Sequence, residues 1–309
     1  MKRLIEKIAE TKAPIVVGLD SLLDYIPQHI KEQAMAENEN PFDAAAQAII
    51  TYNKAIIDAI CDIVPAIKPQ AAYYELYSWQ GMKALYETIQ YAESKGMVVI
   101  TDGKRNDIGS TMTAYAAAHL GTTDVCGKTV EAFGADCLTV NGYLGSDGIK
   151  PLLGICNEKN KGIFVLVKTS NPSSGELQDQ MIGEKSVYET MAGMCEGWGA
   201  ETTNHYGYSA VGAVVGATYP AQLKEMREKA PHTFFLVPGY GAQGGGANDV
   251  KDAFDANGLG AIINNSRGIL TAWKKAGTDG HDFAEQARKA ALAMREDINS
   301  VIPEIKLPQ

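Results

Sequence analysis

The sequence predicts a single-domain (β/α)8 TIM barrel, and three observations carry that expectation. Short β-branched apolar runs alternate with longer stretches of helical spacing, the pattern of βα units around a parallel sheet. The runs number eight, and no Pro/Gly/Ser-rich linker divides the 309 residues, so one catalytic domain over residues 1–309 is expected. Polar residues end many of the runs, where such a barrel keeps its catalytic groups. A doubly wound open sheet fits the same alternation and is the second choice on pattern alone.

Taken in order, the first run is PIVVGLD, ending at Asp20. Asn40 followed by Pro41 is an N-cap and first-turn pair that opens a helix before the second run, IVPAIK, ending at Lys68. Met82, Leu85, Ile89 and Ala92 lie on one helical face closed by Gly96, and MVVITD follows, ending at Asp102. DCLTVN ends at Asn141 and GIFVLVK at Lys168. The segment from Gln178 to Tyr208 exceeds a minimal connection, and an extra helix is expected there. VGAVVG ends at Gly216, and Thr218 with Pro220 opens the helix of TYPAQLKEMREKA. TFFLVPG, ending at Gly239, and GAIINN, ending at Asn265, complete the set.

Composition narrows the function. With 45% hydrophobic and 21% charged residues the chain has the make-up of a globular protein, and a net charge of −9 argues against nucleic acid or an acidic membrane as partner. Any anionic small substrate needs local positive groups. The five cysteines are too far apart for a zinc pair and read as reduced, mostly packed thiols. MKRLIEKIAETKAP carries charges every few residues and lacks a signal-peptide core, and no later run reaches membrane-spanning length, so a cytoplasmic location is expected. The five histidines are scattered without metal-ligand spacing and read as structural or exposed.

The most informative segment is VVITDGKRNDIGST, where an apolar strand runs into Asp102, Lys104 and Asp107. Strand alternation would aim Asp102 and Lys104 to one side, into the barrel mouth, with Asp107 in the following loop. Lys68 from the neighbouring strand end would complete an alternating array of two ammonium and two carboxylate groups. Burying such an array costs several kcal/mol per ion unless the charges are well paired, so a barrel mouth that tolerates it has a use for it. Alone, DGKRND would read as a solvated turn; with Asp20 and Lys68 at two other strand ends it reads as a site.

D-x-K-x-x-D after the third strand, a lysine ending the second and an aspartate ending the first resemble the orotidine 5'-monophosphate decarboxylase family. The longer bacterial branch of that family is similar also at GLD, IKPQAAYYE, DGKRNDIGST, LTVNGYLG, VKTSNPSSGELQ, PGYGAQGGG and NNSRGIL, which run from Asp20 to Leu270. The family pattern more often has proline where Gly142 stands, a departure confined to a loop. The resemblance implies decarboxylation of orotidine 5'-monophosphate to uridine 5'-monophosphate without metal or organic cofactor. It assigns Lys104 as the ammonium beside the developing carbanion and its proton donor, Asp102 as the carboxylate that positions it, and Lys68 as the link to the ribose. Asp20 would accept from the ribose hydroxyls, and Ser170 would read the pyrimidine edge. A homodimer is implied as well, with Asp107 and Thr111 supplied by the other subunit.

PGYGAQGGG matches G-x-G-x-x-G through Gly239, Gly241 and Gly244, but a dinucleotide fingerprint belongs after the first strand of its unit, not the seventh. A loop that brings backbone N–H groups and Gln243 to a phosphate, with Arg267 closing on it, is the better account. Lys168 and Thr169 have the simpler reading of ending a strand, and Tyr73, Tyr74, Tyr77 and Trp79 that of packing. Two rivals remain at this point: a magnesium-dependent sugar-phosphate decarboxylase or aldolase of the same barrel superfamily, and an NAD-dependent oxidoreductase resting on the glycine motif.

Overall fold

The computed structural model of the chain describes residues 1–241 and 245–308. Eight parallel strands close into a barrel in sequence order: β1 (Ile15–Leu19), β2 (Ala66–Pro69), β3 (Val98–Arg105), β4 (Cys137–Val140), β5 (Gly162–Lys168), β6 (Val211–Val215), β7 (Phe235–Val237) and β8 (Ala261–Asn265), with β8 returning to β1. Two short antiparallel hairpins, Thr123–Val125 with Lys128–Val130 and Met181–Ile182 with Lys185–Ser186, lie outside it.

The principal helices are α1 (Lys2–Thr11), α2 (Pro41–Ile60), α3 (Ser78–Ser94), α4 (Gly109–Leu120), α5 (Ser146–Lys159), α6 (Val187–Gly199), α7 (Pro220–Lys229) and α8 (Phe283–Asn299). Local chemistry explains their starts. The Asn40 side chain accepts from the Phe42 N–H at 2.8 Å with proline in the first turn of α2, and Pro220 stands in the first turn of α7, which has no side-chain cap. The helix expected between Gln178 and Tyr208 is α6, opened by a capping box of Ser186 and Glu189.

Strand alternation sorts the core into two layers. Val17, Ile67, Val99, Leu138, Val165, Ala213 and Ile263 face the helices, whereas Val16, Ala66, Ile100, Phe164, Leu236 and Ile262 fill the barrel. Leu4, Ile5 and Ile8 of α1 join the interior cluster and plug its amino-terminal mouth, each fully buried and worth roughly 1.5–3 kcal/mol relative to exposure. Arg3 fixes the plug through Asp136 at 2.6 Å, whose other oxygen accepts from the Val99 N–H. With that end closed by the plug, the pocket opens at the carboxyl ends of the strands. No helix among the described residues is long and apolar enough to cross a membrane.

Candidate active site

The pocket begins with an irregularity in β3. Thr101 pairs with Leu138 and Arg105 with Val140, so Asp102, Gly103 and Lys104 stand opposite Thr139 alone. Such a bulge bends the strand and re-aims its side chains. Lys104 takes up the bend with a φ of 48°, a left-handed conformation that costs on the order of 1–2 kcal/mol for a residue with a side chain. The Thr139 hydroxyl compensates, accepting from the Lys104 N–H at 3.0 Å and donating to Asp102 Oδ1 at 2.8 Å. Asp102 and Lys104 therefore meet on the inner side through a bulge, where regular alternation had been expected to bring them together.

Asp102 organises the charges. Lys104 Nζ donates to its Oδ1 at 2.6 Å, while Lys68 Nζ and Gln70 Nε2 donate to Oδ2 at 2.7 and 3.1 Å. Burial by itself would raise the Asp102 pKa, but the ammonium groups of Lys68 and Lys104 outweigh it and hold the carboxyl well below the usual carboxylate range. Burial likewise favours neutral Lys68, and Asp102 and then Asp20 overcome it, so the pKa of Lys68 lies above its ordinary value. Lys68 is buried at the base of the array, whereas the Lys104 side chain keeps 46% of its surface exposed. One lysine is a fixed counter-charge. The other faces the pocket.

That pocket has a volume of about 610 Å³, within the range of small-molecule sites, and collects residues from most strand ends. Asp20, Lys68, Asp102, Lys104, Ser170 and Arg267 all line it, as the sequence reading expected. Leu166, Val214 and Leu236 supply an apolar floor beside the charges. Asp20 Oδ1 and Asn264 Oδ1 are buried and accept no hydrogen bond among the described residues, leaving two acceptors in the pocket wall for donors on a ligand. Arg267 opens the short helix Arg267–Leu270 immediately beyond β8, beside Ser266.

Other expected residues fall elsewhere. Asp107 and Thr111 do not line the pocket; Asp107 is half-buried, its carboxylate accepting from the Ile108 N–H at 2.7 Å, and Thr111 is exposed on the first turn of α4. Gln243 lies outside the described residues. Lys168 ends β5 but is turned away from the pocket, fully buried, with Nζ 2.6 Å from Asp179 Oδ1. Of the aromatic cluster, Tyr74 packs as expected, fully buried and bonded to Asn53 and the Leu19 carbonyl, whereas Tyr73 lines the pocket. The two are neighbours on the one-turn helix Ala72–Glu75, where consecutive side chains point about 100° apart.

Sequence reasoning missed Gln70, Thr139 and Asn264. None carries a charge, and each stands in or beside an otherwise ordinary strand, so only the Asp102 carboxylate, once placed, marks the first two. The five histidines stay outside the pocket lining. His119 is the most buried, its pKa pushed down to about 4 by burial and then by Arg105, in keeping with a packed neutral ring. No cluster of three or more His, Cys, Asp or Glu side chains with metal-holding geometry occurs among the described residues.

Comparison with known proteins gives a consistent picture. Residues 15–278 match the model of a family described as orotidine 5'-phosphate decarboxylase / HUMPS. The chain is 43% identical over 295 residues to the orotidine 5'-phosphate decarboxylase of Rhodopirellula baltica, covering 94% of this chain and 96% of the relative. It is 42% identical over 300 residues to that of Caldicellulosiruptor bescii, covering 97% and 98%. Among solved structures, Leishmania donovani OMP decarboxylase superposes with a TM-score of 0.73 at 30% identity, covering 97% of each chain.

Proposed function

We propose how the pocket works from the premise that this chain belongs to the orotidine 5'-phosphate decarboxylase / HUMPS family. Its function is decarboxylation of orotidine 5'-monophosphate to uridine 5'-monophosphate and carbon dioxide, the UMP-forming step of pyrimidine biosynthesis. The observation that carries the mechanism is the Asp102 carboxylate holding two ammonium groups, at 2.6 and 2.7 Å, at the mouth of a pocket with an apolar floor.

Breaking the bond between C6 and the carboxylate leaves its electron pair at C6, with no neighbouring carbonyl or iminium to delocalise it directly. A site for this reaction must stabilise that charge electrostatically and then supply a proton. The Lys104 ammonium does both: it faces the developing charge, gives one proton to C6 as carbon dioxide leaves, and regains a proton from solvent. Asp102 fixes its direction, and Thr139 holds both partners. Lys68 remains the buried counter-charge and, with the unpaired oxygen of Asp20, meets the ribose hydroxyls.

Ser170 binds the pyrimidine edge, while Arg267, together with Gln243 of the sequence PGYGAQGGG, binds the phosphate after strands seven and eight, the common phosphate position of such barrels. Remote phosphate binding then organises the reacting end. Asp107 and Thr111, which lie outside this chain's own pocket, serve the pocket of a second copy in a homodimer. Their placement beside the exposed Ile108 supports that reading.

The test follows loss of orotate absorbance with purified protein in excess chelator and no added cofactor. Turnover persists and collapses in Lys104→Ala; activity lost to the chelator and restored by magnesium favours the sugar-phosphate branch and overturns this mechanism. For the shared site, mixing Lys104→Ala with Asp107→Ala subunits restores activity through hybrid dimers. No recovery despite demonstrated subunit exchange contradicts an interfacial Asp107.

A further inference from the structure

One buried charge plays no part in the chemistry above. Lys168 has no exposed surface, and its Nζ donates to Asp179 Oδ1 at 2.6 Å and Ser174 Oγ at 3.4 Å while standing over the rings of Tyr219 at 4.8 Å and Tyr188 at 5.5 Å. A cage of carboxylate, hydroxyl and two aromatic faces is what a desolvated ammonium requires. The lysine reaches it because β5 is itself irregular. Val214 pairs with Leu166 but Val215 pairs with Lys168, so the strand skips a residue and Lys168 follows Val215 to the outer side of the barrel.

Asp179 lies on the segment that returns past the strand end, directly after the short helix Gly175–Gln178. Gln178, its neighbour, grips the strand end at two points: Oε1 accepts from the Thr169 N–H at 2.9 Å and Nε2 donates to Thr169 Oγ1 at 2.8 Å. The Thr169 hydroxyl in turn donates to Asn171 Oδ1 at 2.6 Å. Both residues flanking Ser170 are thus tied, and on the other side Ser170 rests on the bare backbone of Gly216, where an added Cβ would lie 3.0 Å from Ser170 Cβ. Gly175 shows the same close fit, since a Cβ there would meet Asp179 Oδ2 at 2.7 Å.

We propose that Lys168, Gln178 and Asp179 are positioning residues that brace Ser170 against the pyrimidine, so that the segment beyond β5 determines recognition of the base and not of the sugar phosphate. The proposal rests on the reading of Ser170 as the base contact. Its ligand chemistry is the polar edge of a pyrimidine, read by a hydroxyl whose direction the brace sets. Loosening the brace costs affinity only for ligands that carry the base.

The experiment measures inhibition constants of uridine 5'-monophosphate and of ribose 5-phosphate against the intact enzyme and its Ser170→Ala, Gln178→Ala and Asp179→Asn variants, with thermal melts alongside. All three variants weaken uridine 5'-monophosphate about tenfold and change ribose 5-phosphate by less than about twofold. Equal weakening of both ligands overturns the proposal, because it reports general damage to the pocket. If Ser170→Ala weakens the nucleotide and the other two do not, the brace fails and the base contact stands. If Ser170→Ala leaves nucleotide affinity unchanged, the base contact fails and the brace with it. Should Asp179→Asn not fold, Gln178→Ala, whose side-chain hydrogen bonds among the described residues go to Thr169, carries the test.

Discussion

Two strand ends of this barrel each carry a lysine paired with an aspartate at 2.6 Å, Lys104 with Asp102 near the end of β3 and Lys168, the last residue of β5, with Asp179. Both strands are irregular at that point, with different outcomes. In β3 three residues stand opposite Thr139 and Lys104 keeps the inward side that alternation gives it, half-exposed to the pocket; in β5 the skipped residue reverses the side and sends Lys168 outward into an aromatic cage. The difference teaches that a charged pair at a strand end acquires its role from the side of the sheet it reaches. Facing the pocket, the ammonium is available to a substrate. Facing the helices, it can only hold the chain.

Breaking the two pairs should therefore have unequal effects. The largest is Lys104→Ala, which on the proposed mechanism removes both the electrostatic stabilisation and the proton donor and lowers kcat by about 10⁴-fold. Next is Thr139→Val, which deletes the hydroxyl joining the Lys104 backbone to Asp102. It lowers kcat on the order of tenfold to a hundredfold and, by leaving the part-buried Lys104 N–H without its acceptor, costs about 1 kcal/mol of stability in urea denaturation. Thr139→Ser restores most of the rate; failure of serine to rescue would assign the loss to packing instead of the hydroxyl.

A third prediction concerns pH. Asp102 has a depressed pKa in the folded protein, so its pairing stabilises the fold at pH values above the unfolded carboxylate range and loses that contribution as pH falls toward the folded value. The stability gap between wild type and Asp102→Asn is therefore constant near neutrality and narrows below about pH 4. A gap that is flat down to acid unfolding would mean that the array contributes nothing through charge. The smallest effect is expected at Gly216→Ala, whose methyl pushes Ser170 by a few tenths of an ångström. That variant raises KM about threefold with little change in kcat, a split read from steady-state kinetics.

Much of this comparison was legible in the sequence, and the remainder was hidden for a physical reason. Eight β-branched runs, six of them ending in polar residues, disclosed the barrel, and the passage from MVVIT into Asp102 and Lys104, with Asp20 and Lys68 at two other strand ends, disclosed the pocket, because such an array of charges is costly to bury. What the sequence does not mark is a bulge. Gly103 inside β3 is a weak hint of one, but the left-handed residue is Lys104, and the skip at Val167 involves no glycine; alternation alone would have aimed both lysines into the barrel, which is right for Lys104 and wrong for Lys168. Thr139 and Gln70 escaped notice because an uncharged donor on a strand resembles any other strand residue. Asp107 and Thr111 could be assigned a role only through the resemblance to a family, since neither lines the pocket of its own chain.

The most direct test compares the two pairs in one assay: kcat of Lys104→Ala and of Asp179→Asn at saturating orotidine 5'-monophosphate, each beside wild type. A loss of about 10⁴-fold is expected for the first and of less than about tenfold for the second, whose deficit appears in KM. Comparable losses in kcat would contradict this expectation, by showing that the two lysines share one role.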